Sequence, residues 1–474
     1  EWDEDGDSIP DTYFEAPSGY ELEDALLRVI TDILRRNASG TAIAVLATSS
    51  RGEGTVNQAY FKPSLIQGGR EIHWLSYLNS LWVDPYGNLR EDANSDKKLT
   101  LTADNIVEFV FNGTQTVLER YQDADGDGEK DTDYPYEVVM MDNMRPLWNG
   151  GLLLAQKSPT DRHIYTHLGN LSRYDFNYSH RSTLRPFLNV STDEEAGNVI
   201  RYVLGEDLES YGFRDRTVNV GGTDYEWKLG DIVNSSPTYV GTPMERFDYI
   251  YGDDSYAQFY QHYKERRNVV YAGGNDGMLH AFNAGRYIQD EDPNTPEIGR
   301  MDGLGKTLGE ELWGFIPYNL LPQLKWLGDP NYCHIYYVDM RPKASDVRIF
   351  SASSTHPQGW GTILITGMRL GGKEVDVTDN FGSGNETRTF RSAYLALDVT
   401  DPEVPPEPMW EFTDSSLGFT STYPAIARLG DPASQGNWYM IVGSGPQDFQ
   451  GLSTRRGKLY VVDIADGSLL TTFD

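Results

Sequence analysis

The sequence predicts a mostly β protein whose C-terminal part is an incomplete domain of the β-propeller type. Its 47 glycines, 24 prolines and 30 tyrosines favour strands and turns over helices. A pattern of paired strands also recurs from about residue 230 to the end of the chain. Together, these two observations predict a turn-rich architecture of repeated β units.

Each repeat combines a strand, a polar turn and a second strand that bears a tryptophan or a phenylalanine. The paired strands occupy residues 279–285 and 312–315, residues 395–400 and 409–412, and residues 460–467 and 470–473. Strands joined by turns and repeated in this way are typical of propeller blades. The repeat spacing is uneven, so the blade loops must hold large insertions, and a two-sheet sandwich is the alternative architecture.

Residues 21–36 have the strongest helical pattern upstream of the repeats. Leu22, Ala25, Leu26 and Val29 follow the i, i+3, i+4, i+7 spacing of a single apolar face, which indicates packing against a core. Short apolar or alternating runs predict strands at residues 42–47, 56–61 and 106–111.

Two short acidic loops have the spacing of a calcium-binding loop. Carboxylates at loop positions 1, 3, 5 and 9, with the main-chain carbonyl of position 7, surround a hard cation with oxygen ligands. Carboxylates this close repel one another unless a cation lies among them. We therefore expect Ca²⁺ in both loops, with a solvated acidic turn as the alternative. The predicted ligands are Asp3, Asp5, Asp7, Ile9 and Asp11 in the first loop, and Asp123, Asp125, Asp127, Glu129 and Asp131 in the second.

Neither loop is a complete EF-hand. Position 12 should hold a bidentate glutamate, but Phe14 and Tyr134 stand there. A nine-residue loop closed by Asp11 or Asp131 fits better. We expect such loops to act as structural clips rather than as sensors that open a pair of helices.

The composition excludes several classes of partner. The formal net charge of −31 would repel nucleic acid and anionic membrane surfaces but agrees with metal cations as partners. The chain has one cysteine, Cys333, so it has no internal disulfide. No run of about 18 apolar residues is present that would cross a bilayer. We expect both ends to be cuts in a longer protein.

Five segments from residue 229 onward stand in the order LGDIVNSSPTYVG at 229–241, VVYAGGNDGMLHAF at 269–282, ELWGFIP at 311–317, YYVDMRP at 336–342 and GWGTILITGMRLGG at 359–372. In sequence and order, these segments resemble PilY-type proteins, the tip-associated biogenesis factors and adhesins of bacterial type IV pili. The segment IPDTYFEA at 9–16, with the helix predicted after it, resembles the end of the von Willebrand factor A domain that precedes the propeller in many members.

The resemblance implies three regions. Residues 1–40 would be the end of an A-type domain, residues 41–194 a β-rich connecting region, and residues 195–474 a partial propeller. It also implies a non-enzymatic protein that is exported through the periplasm to the extracellular pilus tip or cell surface. There it would act with minor pilins, promote pilus assembly or oppose retraction, and adhere to host or abiotic surfaces, with calcium occupancy modulating it.

The chain departs from the family pattern in two respects. Most of the A domain, including its metal-ion-dependent adhesion site, is missing, and the calcium loop that members often carry in a late blade lies beyond the last residue. The two acidic loops match the chemistry of that late loop but not its place. We therefore expect them to have a scaffold role.

Two enzymatic alternatives are weaker. A calcium-dependent quinoprotein dehydrogenase with pyrroloquinoline quinone also has a propeller, but the adjacent cysteines that many of these enzymes carry are absent, since Cys333 is the only cysteine. Cys333 and His334 suggest a thiol hydrolase, but neighbours on a strand point to opposite faces, so a buried free thiol is expected.

Two further motifs are expected to be structural. His280 should be a packed, hydrogen-bonded residue. The glycine-rich segment 273–277 lacks the Lys-Ser/Thr pair and the helix of a phosphate loop, so it predicts a tight hairpin turn.

Overall fold

The computed structural model describes residues 47–48, 54–112, 115–290, 292, 295–382, 384–430 and 435–473. The chain divides into two compact units made of interleaved segments. Among the described residues, the smaller unit draws on those up to 58, 79–148 and 287–300, and the larger unit on those in 59–78, 149–286 and 301–473. The sequential division into 1–40, 41–194 and 195–474 stays a prediction. The helix predicted at 21–36 and the first acidic loop lie outside the described residues.

Antiparallel strands form the smaller unit. The strands predicted at 56–61 and 106–111 are confirmed. Trp148–Asn149 pairs with Arg70–Val83, and Lys98–Thr100 pairs with Glu297–Asp302. The main sheet has the hydrogen-bonded order Ala47–Thr48, Gly54–Gln67, Arg70–Val83, Leu89–Arg90, Ile106–Phe111, Thr116–Tyr121 and Glu137–Met140.

Three four-stranded antiparallel meanders dominate the larger unit. The predicted strand pairs are confirmed, because the third and fourth strands of each meander are the segments paired in the sequence. The first meander contains Thr238–Val240, Asn268–Gly273, Leu279–Gln289 and Glu311–Phe315. The second contains Lys343–Arg348, Trp360–Gly367, Tyr394–Asp398 and Glu407–Phe412. The third contains Ala425–Leu429, Asn437–Gly443, Leu459–Asp463 and Leu469–Phe473.

Shorter strands extend this architecture. Ile164–Thr166 pairs in parallel with Glu311–Phe315 of the first meander and antiparallel with Tyr174–Asp175. Two separate hairpins are Thr217–Val220 with Thr223–Glu226 and Val375–Asn380 with Asn385–Phe390.

One face of the second meander packs with the first meander. Leu364, Leu395 and Leu397 belong to the same buried cluster as Tyr271 and Phe315 of the first meander. Because side chains alternate along a strand, the intervening residues must face the other way.

The opposite face of the second meander packs with the third. Ile363, Ile365 and Tyr394 share a second buried cluster with Met440 of the third meander. Trp410 Nε1 donates a hydrogen bond of 2.7 Å to the carbonyl of Ile464 in the same cluster. A sheet covered on both faces in this way is the packing expected of consecutive propeller blades.

Among the described residues, the α-helices are few and short. They are Gly150–Gln156, Arg181–Leu184, Asp193–Leu204, Phe247–Tyr251 and Asp254–Tyr263. A 3₁₀ segment spans Tyr318–Gly328, and single 3₁₀ turns lie at 141–143, 159–161, 178–180, 209–211 and 357–359. Among the residues that the structure describes, no helix has the length and apolar character needed to cross a bilayer.

The helix Asp193–Leu204 shows how the sequence sets both ends of an element. A capping box formed by Thr192 and Glu195 starts the helix, and Gly205, with φ of 108°, ends it in the left-handed conformation. Between these ends, Ile200 and Val203 pack into the buried cluster of the first meander.

We expect the second meander to control the stability of the larger unit. Leu364→Ala removes a side chain that is 0% exposed, so it should lower the free energy of unfolding by about 3 kcal/mol. Leu429→Ala, on a strand of the third meander at 60% exposure, is the matched control and should change it by less than about 0.5 kcal/mol. Denaturant titration measures both, and equal losses would contradict the stacking of the meanders.

Candidate functional site

The second acidic loop connects two paired strands of the smaller unit. Thr116–Tyr121 and Glu137–Met140 pair antiparallel, and residues 122–136 join them as a hairpin connection. Carboxylate oxygens of Asp123, Asp125 and Asp131 lie within 4.8 Å of one another. The structure therefore brings together the predicted ligands at loop positions 1, 3 and 9.

One predicted carboxylate ligand does not join this group. Asp127 is absent from the cluster of described acidic groups, and its Oδ1 accepts a hydrogen bond of 2.8 Å from the Glu129 amide. This short turn between positions 5 and 7 directs the Asp127 carboxylate to the loop's own backbone. The predicted ligand atom of Glu129 is its main-chain carbonyl oxygen, and that assignment stays a prediction.

Asp123 organises the loop around its side chain, which is almost fully buried. Its Oδ1 accepts hydrogen bonds from the amides of Gly126 at 2.8 Å and Asp127 at 3.1 Å, and its Oδ2 accepts one from Gly128 at 3.2 Å. Asp131 closes the loop by accepting the Ala124 amide at 3.1 Å. The backbone therefore wraps a carboxylate at position 1, as in a cation-binding loop.

Gly128 is required by both conformation and space. Its φ is +86°, a region that favours glycine, and a Cβ atom there would lie 2.2 Å from the ring of Tyr86. The carbonyl of Gly128 also accepts a hydrogen bond of 2.8 Å from the Asn88 side-chain amide. The glycine therefore lets the loop pack directly against the neighbouring turn.

Arg90 is the residue of this site that the sequence reading missed. Its fully buried guanidinium forms ion pairs with Asp84, at 2.7 Å, and with Asp123. It also donates to the main-chain carbonyls of Leu101 at 2.6 Å and Asp104 at 2.9 Å. No local sequence motif predicts this pairing, because Arg90 and Asp123 are 33 residues apart.

The donor set suits a hard divalent cation. Three carboxylates supply the oxygen ligands that Ca²⁺ and Mg²⁺ prefer, and a softer metal would call for nitrogen or sulfur. Arg90 fixes the orientation of Asp123 and offsets part of the negative charge. Calcium occupancy stays a prediction, and the first loop, Asp3 to Asp11, lies outside the described residues.

The segment 269–282 of the larger unit, here called the signature segment, takes part in a buried charge network. His280 is 0% exposed, with Nδ1 2.8 Å from Glu311 and Nε2 3.0 Å from Asp276. Arg162 donates two hydrogen bonds of 2.8 Å to Glu311, and the Gly230 amide donates one of 2.8 Å to Asp276. The prediction that His280 is a packed, hydrogen-bonded residue is confirmed.

The charges in this network shift the pKa values of its members. Burial alone would lower the pKa of His280, but attraction to Asp276 and hydrogen bonds to Asp276 and Glu311 raise it to about 9. Burial would likewise raise the pKa of Glu311, yet Arg162 and His280 hold it well below its usual range. His280 is thus a charged imidazolium at neutral pH, and it binds together parts of the chain that are distant in sequence.

The glycine-rich segment is the hairpin turn that the sequence predicts. It connects Asn268–Gly273 to Leu279–Gln289, and the Gly274 amide donates to the Met278 carbonyl at 2.9 Å. Gly277 has a φ of +101°, and a Cβ atom there would lie 2.4 Å from Leu324. The turn therefore needs glycine for packing.

The expectation of a buried thiol is wrong. Cys333 is exposed, because residues 331–336 form an irregular connection and not a strand. The neighbouring His334 has Nε2 2.7 Å from Asp231, and its ring centroid lies 3.9 Å from that of Trp74.

The charge network should make the larger unit less stable at alkaline pH. Since the folded pKa of His280 is about 9 and that of an unfolded histidine is about 6.5, its stabilisation is complete below pH 6.5 and disappears as the pH rises through 9. The loss should approach about 3 kcal/mol across this window.

Denaturant titrations at several pH values test this expectation. His280→Gln should flatten the dependence between pH 6.5 and 9, whereas His262→Gln, at an exposed position of a helix, should leave it as in the parent protein. A parent protein whose stability is constant over this window would contradict the assignment of the charge.

Comparisons with known proteins agree with this architecture. The family model described as the PilY1 beta-propeller domain matches residues 229–473, just over half of the chain. The type IV pilus biogenesis factor PilY1 of Pseudomonas aeruginosa (strain UCBPP-PA14) is 28% identical over 343 residues, which cover 68% of this chain and 24% of that protein.

Two further matches concern a second organism and a solved structure. A PilY1 homolog of Xylella fastidiosa (strain Temecula1 / ATCC 700964) is 34% identical over 245 residues, covering 50% of this chain and 16% of that protein. The crystal structure of the P. aeruginosa PilY1 C-terminal domain matches at 23% identity with a TM-score of 0.31, covering 49% of this chain and 36% of that one.

The chain therefore spans about a quarter or less of the length of these curated relatives. The family match extends over all three meanders and includes the signature segment with its buried network. The chain belongs to the PilY1 beta-propeller family.

Proposed function

We propose that this chain is part of a type IV pilus biogenesis factor that acts without catalysis. The observation that carries this proposal is the match of residues 229–473 to the PilY1 beta-propeller domain, in a chain whose relatives are named as pilus biogenesis factors. In this proposal the protein is exported through the periplasm, acts with minor pilins at the pilus tip, and promotes assembly or opposes retraction.

A role in adhesion to host or abiotic surfaces is the second part of the proposal. It is supported by a cluster of large apolar side chains on and just before the helix Phe247–Tyr251. Met244, Tyr249, Ile250 and Tyr251 are 66%, 84%, 56% and 60% exposed, respectively. Exposed apolar patches and tyrosine-rich surfaces are typical of interaction sites.

Calcium binding by the second acidic loop is the third part. Asp123, Asp125 and Asp131 would supply carboxylate oxygens, and the ion would offset their mutual repulsion. The loop closes a hairpin of the smaller unit, and its first ligand is fixed by Arg90. Calcium would therefore act here as a structural clip that holds the two ends of the loop together.

The loop should lose calcium affinity when one exposed ligand is neutralised. Asp125→Asn removes a charge without disturbing the Arg90 pair, so calorimetry should show Ca²⁺ binding weakened by about tenfold or more. Asp133→Asn changes an exposed carboxylate outside the cluster and serves as the charge-matched control. Replacing both Asp123 and Asp125 with Ala should abolish binding. Unchanged binding in that double variant would remove this loop from the proposal.

The pilus role predicts a reversible loss of piliation. We expect deletion of the gene for the full-length protein to remove surface pili, and its return to restore them, as counted by electron microscopy. Return of a gene that lacks the codons for residues 229–473 should not restore the count, whereas a gene with Asp133→Asn should. Normal piliation in the deletion strain would reject the assembly role, and adhesion assays on the same strain would then test the surface role alone.

A further inference from the structure

The larger unit contains a pocket lined by cationic and aromatic side chains. About 450 Å³ of atom-free space lies within it, open solvent included, and about 20 Å³ of this is cavity volume that admits a water-sized group. Asp231, from the segment 229–241, and Asp276, from the segment 269–282, line part of the pocket. The lining also includes a cationic wall formed by Arg214, Arg216 and Lys228, which flank the hairpin 217–226.

Both arginines have donors without acceptors. Arg216 is only 7% exposed, and its Nε has no hydrogen-bond acceptor among the described residues. Glu226 Oε2 lies 3.6 Å from that Nε, beyond hydrogen-bond distance. Arg214 Nη1 is also buried without an acceptor. A buried guanidinium donor that lacks an acceptor is costly, and a ligand that supplies one would remove this cost.

Lys228 adds a third cation to the same wall. Its Nζ donates to the main-chain carbonyls of Ala155 at 2.8 Å and Glu226 at 3.3 Å, both of which are uncharged acceptors. Burial and repulsion from Arg162 and Arg216 lower the pKa of Lys228 to about 8. The wall thus carries three cationic side chains, and Glu226 offsets part of their charge.

The acidic residues of the pocket already have partners of their own. Asp231 Oδ2 lies 2.7 Å from His334 Nε2 and accepts a hydrogen bond of 2.8 Å from the side-chain amide of Asn275. Asp276 is paired with His280 and with the Gly230 amide. These carboxylates therefore shape the opposite side of the pocket and do not pair with Arg214 or Arg216.

Aromatic rings border the cationic wall. The Arg214 guanidinium lies over the ring of Tyr332, 4.2 Å from its centroid, and the ring of Trp74 contacts that of His334 at a tilt of 38°. Trp74 has a φ of +62°, an uncommon conformation for a bulky residue within a strand. Strained backbone of this kind concentrates at binding sites.

We propose that this pocket binds an oxyanion group, a carboxylate or a phosphoryl, on a small ligand or on an exposed chain end. The group would accept hydrogen bonds from Arg216 Nε and Arg214 Nη1, the two donors that the fold leaves without acceptors. Its negative charge would offset the three clustered cations, and a ring or chain attached to it would pack on Trp74 and Tyr332. This inference does not depend on the pilus role.

Calorimetric titration of the chain with inorganic phosphate and with acetate, at constant ionic strength, tests the pocket. At least one of the two anions should bind at millimolar concentration. Stronger binding of phosphate indicates a phosphoryl ligand, and stronger binding of acetate indicates a carboxylate. If neither anion releases or absorbs heat at that concentration, the proposal is wrong.

Two variants with the same charge change locate the binding. Arg214→Gln should weaken it about tenfold, because a charge-assisted hydrogen bond is lost. Arg201→Gln, which removes a cation that is paired with Glu206 at 2.7 Å outside the pocket, should leave it within about twofold. Equal weakening would show that the anion responds only to overall charge and would overturn the site. Circular dichroism verifies that each variant is folded, and Arg214→Lys provides a milder replacement if Arg214→Gln is not.

Discussion

The burial of the second meander on both faces is the constraint on which the larger unit depends. Ile363 and Ile365 face one neighbouring sheet while Leu364, between them, faces the other. A strand in this position has no solvent-exposed face, so three consecutive apolar residues, Ile363 to Ile365, stand at its centre, whereas a strand with one wet face alternates. A substitution in this strand disturbs packing at both interfaces, because there is no solvent into which a displaced side chain can move.

This constraint explains which parts of the fold could be predicted from the sequence. Some strand pairs of the meanders are local: residues 273–277 join Asn268–Gly273 to Leu279–Gln289, and turn residues of this kind specify the pair directly. The interleaving of the two units could not be predicted in this way. It depends on which distant segments pack together, and hydrophobic periodicity holds no information about that.

The candidate metal site shows the same limit at the level of single residues. The carboxylate spacing was sufficient to find Asp123, Asp125 and Asp131, because the ligands of one loop are a local pattern. Asp127 follows the pattern but not the geometry, since its side chain satisfies a backbone amide of the same loop. Arg90 was undetectable because its partner Asp123 is remote in sequence, and Cys333 was misjudged because the alternation rule was applied where no strand exists.

The buried arginines of this chain differ in how far the fold satisfies their donors. Arg90 and Arg162 each bond carboxylates and main-chain carbonyls, and none of their nitrogens is among the buried atoms left without partners. Such residues pay for their own desolvation within the fold. Arg216 is as deeply buried, but its Nε lacks an acceptor, and its neighbours Arg214 and Lys228 add charge of the same sign. In a protein with a net charge of −31, carboxylates are abundant enough to supply acceptors for the donors of these three cationic side chains. That the fold instead commits Asp231 and Asp276 elsewhere is the strongest argument that the missing acceptor comes from a ligand.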